Sequence, residues 1–374
     1  MSGIYIHIPF CKQACHYCNF HFSTSLKQKD ALVQGILKEI FLTTPFSANE
    51  NIETIYFGGG TPSILNVADL KNILEALTTK FNILPDAEIT LEANPDDIDS
   101  FKLTAWKQLG INRLSVGIQS FLEDELVWMN RAHNAAESLH CIDLINAAGY
   151  TNYSVDLIYG SPLLSNENWI KNIDTVIQKN IPHISCYALT VEPKTALDKM
   201  IALHKKQPVD ADKQAEQFLL LMAKMQEAGY DHYEISNYAL PGKRSKHNSS
   251  YWQAKTYYGF GPSAHSFNQH TRRWNISNNA TYIAALQNNS IPFEEEKLTT
   301  TQQLNEYIMT ALRTMEGLDL EKLQIEFGEK NTSQILQACK KWIAGNKLVI
   351  TTEGIKLTTE GKLFADGIAA DLFF

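Results

Sequence analysis

Six short runs rich in β-branched and aromatic residues, at 4–8, 53–57, 88–93, 113–118, 153–158 and 183–189, alternate with segments of helical period such as 31–41, 67–81, 137–148 and 169–178. Strand–helix alternation of this kind calls for parallel strands, because only a long crossover can return the chain to the same edge of a sheet. Six such units suffice for a barrel or an open barrel arc. In such an arc the side chains that carry chemistry gather where the strands end, at their C-terminal rim.

The chain runs on well past the sixth strand. A long helix is expected over 211–228, ended by Gly229, followed by Tyr233-Glu234-Ile235-Ser236-Asn237-Tyr238 and a loop rich in Gly, Ser and aromatics to about Asn279. From about Thr299, helical stretches at 302–315, 320–326 and 333–344 precede a hairpin of 347–351 and 355–357, the order of a winged-helix-like module. The expected architecture is α/β: a partial (β/α)6 barrel over residues 1–209, a barrel extension over 210–298, and a C-terminal, mainly helical, winged-helix-like domain over 299–374. That last segment is net acidic, and the whole chain carries a formal charge of −8. Phosphate backbones are bound by clustered Lys and Arg, so nucleic acid is not an expected partner. No apolar run approaches the ~20 residues of a membrane span. The opening Met1-Ser2-Gly3-Ile4-Tyr5-Ile6-His7 has neither a basic stretch nor an apolar core, so no secretory signal is expected. The expected location is the cytoplasm, with a peripheral place at the inner membrane face left open.

Cysteine usage points the same way. Cys141, Cys186 and Cys339 stand alone in apolar surroundings and are expected to be small buried hydrophobes. Cys11, Cys15 and Cys18 instead form a C-x₃-C-x₂-C string directly after the first strand. Three thiolates on one short loop suit three corners of a cubic iron–sulfur cluster, whereas a closed electron-transfer cluster takes four. The fourth iron would be open to a small molecule. The competing reading, a zinc knuckle completed by His16 or His21, lacks the second ligand pair that zinc sites usually have.

Further along the rim, each strand runs into polar or glycine residues: Gly58-Gly59-Gly60-Thr61-Pro62, Glu92, Gln119, Asp156, and Tyr187 with Thr190. Glycines let a ligand approach the backbone. Glu92 and Asp156 can accept from an ammonium or from ribose hydroxyls, Gln119 can donate and accept, and Arg131 can fork onto a carboxylate. The string Gly259-Phe260-Gly261-Pro262-Ser263-Ala264 imitates a dinucleotide fingerprint, but Pro262 interrupts it, and it is expected to be a loop.

Tyr5-Ile6-His7-Ile8-Pro9-Phe10-Cys11-x₃-Cys15-x-Tyr17-Cys18 resembles the cluster loop of the radical S-adenosylmethionine (SAM) superfamily, and more narrowly that of the oxygen-independent coproporphyrinogen dehydrogenase-like group. The resemblance extends from Tyr5 to the tail. It implies a [4Fe-4S] cluster on Cys11, Cys15 and Cys18, with the methionine end of SAM on the open iron. It also implies SAM contacts from Tyr5, Gly60, Thr61, Glu92, Gln119, Arg131 and Asp156, and less directly from Tyr17 and Gly59.

That group has a dehydrogenase branch and a heme-chaperone branch. The dehydrogenases resemble C-x₃-C-x₂-C-x-C, where this chain has Phe20, and use an N-terminal segment where only ten residues precede Cys11. His247-Asn248-Ser249-Ser250-Tyr251-Trp252 resembles the H-N-x-x-Y-W motif of the chaperone branch. Imidazole and tyrosinate are both heme ligands, aromatic faces suit a macrocycle, and Lys243, Arg244 and Lys246 could meet propionates. The resemblance therefore implies heme at His247, Asn248, Tyr251 and Trp252, delivered to apo-hemoproteins such as respiratory enzymes. An electron donor for the cluster and a homodimer are implied with it. The alternative is a radical enzyme that oxidatively decarboxylates coproporphyrinogen III.

Overall fold

The computed structural model describes residues 2–47 and 50–374. Strands β1 (Ser2–Ile8), β2 (Asn51–Gly59), β3 (Asn82–Ala93), β4 (Arg113–Gln119), β5 (Tyr153–Tyr159) and β6 (His183–Ala188) lie side by side in chain order, all parallel. Helices Lys29–Leu42, Val67–Lys80, Ser100–Gln108, Ala135–Ala147 and Asn166–Gln178 occupy the crossovers. This is the partial (β/α)6 barrel that the alternation called for. Successive strand residues point to opposite faces. Ile4, Ile6 and Ile8 are fully buried in one core with Leu32, Ile36, Leu70 and Ile73 of the helices, while Tyr5 and His7 turn to the inside of the arc. Side-chain caps start most of these helices, including a reciprocal Asn134–Glu137 capping box before Ala135.

Both edges of the arc are extended. Beyond β6 lie β7 (Asp231–Glu234) and β8 (Asn237–Ala239), an antiparallel pair. Beyond β1 lie β9 (Tyr257–Phe260), parallel to β1, then β10 (His265–Phe267), β11 (Thr271–Asn275) and β12 (Phe293–Lys297), antiparallel, which completes one 12-stranded sheet. Two expectations need correction here. The stretch after Tyr238 is not one long loop, and Gly259-Phe260 is not in a loop but in β9, with Tyr5 opposite Gly259. A Cβ at Gly259 would overlap the His265 backbone, so glycine there permits a tight strand crossing.

The tail has its own core, which joins Leu304, Ile308, Leu312, Leu323, Ile335, Cys339, Leu348, Ile355 and Ile368. Its helices are Thr300–Leu312, a Leu320–Ala344 run broken at Gly328, whose φ of 86° and ψ of 160° are not helical, and Ala365–Asp371. The break falls where the sequence reading places a gap between two helices. The hairpin of β14 (Leu348–Ile350) and β15 (Gly354–Leu357) is joined by a short β13 (Leu318–Asp319) that the sequence reading lacks. Arg313 ties the tail to the barrel extension, at 3.1 Å from buried Glu234 and 5.3 Å over the Trp252 ring. Cys141, Cys186 and Cys339 are buried. Among the described residues no helix is long and apolar enough to cross a membrane.

Candidate functional site

The cysteine loop is pinned at both of its ends. Fully buried Phe10 anchors its start, the Cys11 amide donates to Ser23 O at 3.1 Å, and the Ser23 amide donates to Pro9 O at 2.9 Å. The glycine turn after β2 locks onto the same point, with the Gly60 amide on Ile8 O at 2.9 Å and the Thr61 amide on Phe10 O at 2.7 Å. A Cβ at Gly60 would meet the Phe10 backbone at 2.6–2.9 Å, so this glycine serves the seating of the loop. Gly59 has a φ of 112°, a left-handed conformation that disfavours side chains.

Cys11, Cys15 and Cys18 are half-buried and close enough for each to feel the others' charge. Burial first, then the neighbouring thiols, pushes the Cys11 thiol up to about 11, with a Thr61 hydrogen bond and the Arg131 charge opposing. Cation binding would have to displace that proton. Among the described residues no three His, Cys, Asp or Glu side chains converge on a single point as a lone metal ion requires. A cubane makes a different demand, since each corner iron takes one thiolate. Each histidine of the zinc alternative has one ring nitrogen engaged elsewhere. His16 Nδ1 lies 3.0 Å from Trp128 O, and His21 Nε2 lies 2.8 Å from Asn279 Oδ1.

Arg131 reaches this loop from across the rim. Its Nη1 donates to Cys15 Sγ at 3.1 Å and reaches Tyr17 Oη at 3.5 Å, while Nη2 donates to Asn94 Oδ1 and Gly117 O, both at 2.7 Å. Its Nε is buried with no partner. Thr61 Oγ1 accepts from Asn94 Nδ2 at 3.3 Å. A Cβ at Gly117 would lie 3.0 Å from Gln119 Nε2 and 3.3 Å from Arg131 Nη2, so the glycine leaves open the space that these two groups border.

Near the loop lies a buried pair of acids, Glu92 and Asp156. Glu92 accepts from Tyr56 Oη at 2.8 Å and from the Gly59 amide at 3.2 Å. Burial, and then the Asp156 charge, raise its carboxyl to about 7 against those two hydrogen bonds. Burial also raises Asp156, to about 6, with Ser185 and Ser115 hydroxyls and two arginines opposing. A Cβ at Gly58 would lie 2.9 Å from the Tyr5 and Tyr56 rings and 3.1 Å from Glu92 Oε1. The expected SAM residues thus form one contiguous set at the C-terminal rim, and the set suits the molecule. A buried acid pair is suited to an ammonium and hydroxyls, and a guanidinium with a free Nε is suited to a carboxylate. The sequence reading lacks Tyr56, Asn94, Ser115 and Ser185. Period-two steps through the polar positions, Tyr56 to Gly58, Thr90 to Glu92 and Ser154 to Asp156, would have pointed to the inner face.

The H-N-x-x-Y-W segment lies elsewhere. It forms the helix Lys246–Trp252, which closes the N-terminal end of the barrel. The Lys246 and His247 amides donate to Glu88 at 3.1 and 3.0 Å, and His247 Nδ1 lies 2.7 Å from Thr54 Oγ1. Gly3, Thr54 and Glu88 share one level of the sheet, and His7 with Gly58 share another four residues on, roughly 13 Å higher at ~3.3 Å per residue. His247 is 1 % exposed, its Nε2 lies 2.9 Å from Tyr251 Oη, and its ring stacks on Tyr56 at 4.9 Å. Burial, followed by the Arg113 charge, lowers the imidazole to about 3. Both ring nitrogens of the expected heme residue His247 are thus engaged inside the barrel in this structure. Arg244, expected near propionates, pairs instead with Asp231 at 3.3 Å and Glu316 at 3.1 Å. Asn248 and Trp252 are half-buried, and Trp252 packs under Arg313.

Residues 5–176 match the model of the radical SAM superfamily, and residues 298–364 match the HemN C-terminal domain. The chain is 31 % identical to the heme chaperone HemW of Bacillus subtilis over 98 % of each chain. It is 35 % identical to the heme chaperone HemW of Escherichia coli over 70 % of this chain and 69 % of that one. Among solved structures, the radical SAM enzyme coproporphyrinogen III oxidase (HemN) of Escherichia coli superposes with a TM-score of 0.86, covering 99 % of this chain and 89 % of that one at 20 % identity, which speaks to the fold. A glycine-seated cysteine loop over a buried acid pair, on a chain alike from end to end, leads to one conclusion: this chain belongs to the radical SAM superfamily and, within it, to the HemW family.

Proposed function

We propose that this protein binds heme and delivers it to apo-hemoproteins, with a [4Fe-4S] cluster and SAM housed at the opposite end of the same barrel. The observation that carries the reading is end-to-end similarity to curated heme chaperones, 98 % of each chain in the Bacillus subtilis case, in a chain that keeps the H-N-x-x-Y-W segment. Cys11, Cys15 and Cys18 would hold the cluster. Tyr5, Gly59, Thr61, Glu92, Gln119, Arg131 and Asp156 would line the SAM chamber, with Tyr17 and Gly60 shaping the loop. When bound, the cluster supplies an open iron for SAM and an electron for its reductive cleavage.

The residues of this chain have work of their own. Arg131 holds Cys15 and Tyr17 in place while its free Nε awaits a carboxylate. Glu92, its carboxyl raised to about 7, holds a proton below that pH until a cation displaces it. Phe10 and the Gly58–Gly60 turn keep water from beneath the loop. Cluster and SAM then serve structure, subunit pairing or gating of transfer, and apo-hemoproteins of the respiratory type, an electron donor and a second copy of this chain are the partners in this reading.

The test is anaerobic reconstitution followed by iron, sulfide and heme quantification on one sample, then transfer of bound heme to an apo-hemoprotein. Stoichiometric heme uptake and handover support the chaperone. Conversion of coproporphyrinogen III to protoporphyrinogen by the same sample would overturn it in favour of the dehydrogenase.

A further inference from the structure

We propose that heme sits in the cleft between the lower ends of β9–β11 and the tail, with His270 as its iron ligand. The inference rests on the heme-binding reading above and names the site that this reading leaves open. His247, in the motif, and Arg244, just upstream of it, are committed to other partners. A cleft of about 630 Å³ opens past Tyr251 of the motif, within the range of about 300–1,000 Å³ usual for cofactor-sized ligands.

Its walls suit a flat apolar macrocycle. Tyr251, Tyr257 and Phe267 face it from the barrel, and Tyr307 and Phe327 from the tail. Its rim offers one unspent cation. Lys255, Arg272 and Lys322 line it. Lys255 is paired with Glu53 at 3.0 Å. Arg272 spends its charge on Glu306 at 2.8 Å, which also lines the cleft. Lys322 lies 4.4 Å over the Tyr307 ring, with no carboxylate in ion-pair range among the described residues.

Iron needs a side chain that is both reachable and uncommitted. His270 lines the cleft and is exposed. Its backbone is fixed at both groups, with the amide on Asn268 Oδ1 at 3.1 Å and the carbonyl accepting from Leu298 N at 2.8 Å. Its imidazole makes no hydrogen bond to any described residue. Met309, 43 % exposed, borders the same space, and a His–Met set is a familiar heme ligation. The motif then acts at one remove. His247 braces Tyr251, whose ring forms part of the cleft wall, so the histidine is a positioning residue.

The experiment is an absorption titration of the full-length, anaerobically reconstituted protein with hemin, alongside His270→Ala and Met309→Trp. Both positions are exposed, so iron content, SAM binding and melting temperature should stay at wild-type values. We expect His270→Ala to shift the Soret band and weaken binding at least tenfold. Met309→Trp, which fills the cleft, should weaken it at least as much. Wild-type spectra and affinity in both variants would overturn the cleft while leaving the chaperone reading intact. Loss in Met309→Trp alone would overturn His270 as the ligand. A wild-type protein with intact cluster that takes up no hemin would sink the chaperone reading itself.

Discussion

Arg131 Nη1 stands 3.1 Å from Cys15 Sγ although 116 residues separate the two. The same guanidinium holds Asn94 and Gly117 O, so one side chain ties the cysteine loop to the ends of β3 and β4. Arg131→Ala should lower SAM affinity at least tenfold and reduce cluster occupancy, measured by calorimetry and by iron and sulfide content. Arg131→Lys should not restore either, because a point charge cannot reproduce the planar fork. Full recovery in the lysine variant would show that charge alone matters.

Cys15→Ala should abolish the cluster, because two remaining thiolates cannot hold three corners. Iron and sulfide should fall to background. Hemin uptake should stay within about threefold of wild type, because the cleft lies at the other end of the barrel. Parallel loss of hemin would mean that the two ends are not separate sites.

Glu92 carries a carboxyl raised to about 7 by burial and by the Asp156 charge. A bound ammonium favours the ionised form, so SAM binding releases a proton wherever the free protein still holds one. SAM affinity should therefore rise by up to about tenfold per pH unit from pH 5.5 toward 7 and then level off. Glu92→Gln should flatten that profile and weaken binding. A slope that persists in Glu92→Gln would assign the proton to another group, Asp156 being the first to examine.

His247→Gln should cost about 2 kcal/mol at pH 7.5, because one of two buried hydrogen bonds and an aromatic stack are lost. The folded imidazole titrates near 3 and the unfolded one near 6.5. The unfolded chain thus takes up a proton that the folded chain refuses, and stability falls as pH drops below 6.5. Removing the imidazole removes that penalty, so the gap between wild type and variant should narrow by up to about 1.4 kcal/mol per pH unit below 6.5. Anaerobic urea unfolding across pH 5–8 checks the slope. A gap that stays constant would mean that the ring titrates in the fold as it does in the unfolded chain.

The barrel strands, the crossover helices and the cysteine string were legible because each rests on local pattern, period two, period 3.6 or fixed spacing. The same holds for the gap in the tail helix, which became the turn at Gly328. What escaped was non-local. Whether an imidazole is free depends on its neighbours, and the ring of His247 meets Thr54, 193 residues away. The strands β9–β11 escaped because Gly259, Gly261 and Pro262 look like punctuation, whereas the partner that makes β9 a strand is β1, at the other end of the sequence. At the SAM rim, Glu92, Arg131 and Asp156 could be named from residue type and place, but Asn94 and Tyr56 gain their roles only through what they touch.

The helix Lys246–Trp252 stoppers one mouth of the barrel and the cysteine loop stoppers the other. A passenger entering beside the lower stopper can come and go without the upper one being lifted. On the proposed reading, loading and unloading at the lower mouth would leave the cysteine loop at the upper mouth undisturbed.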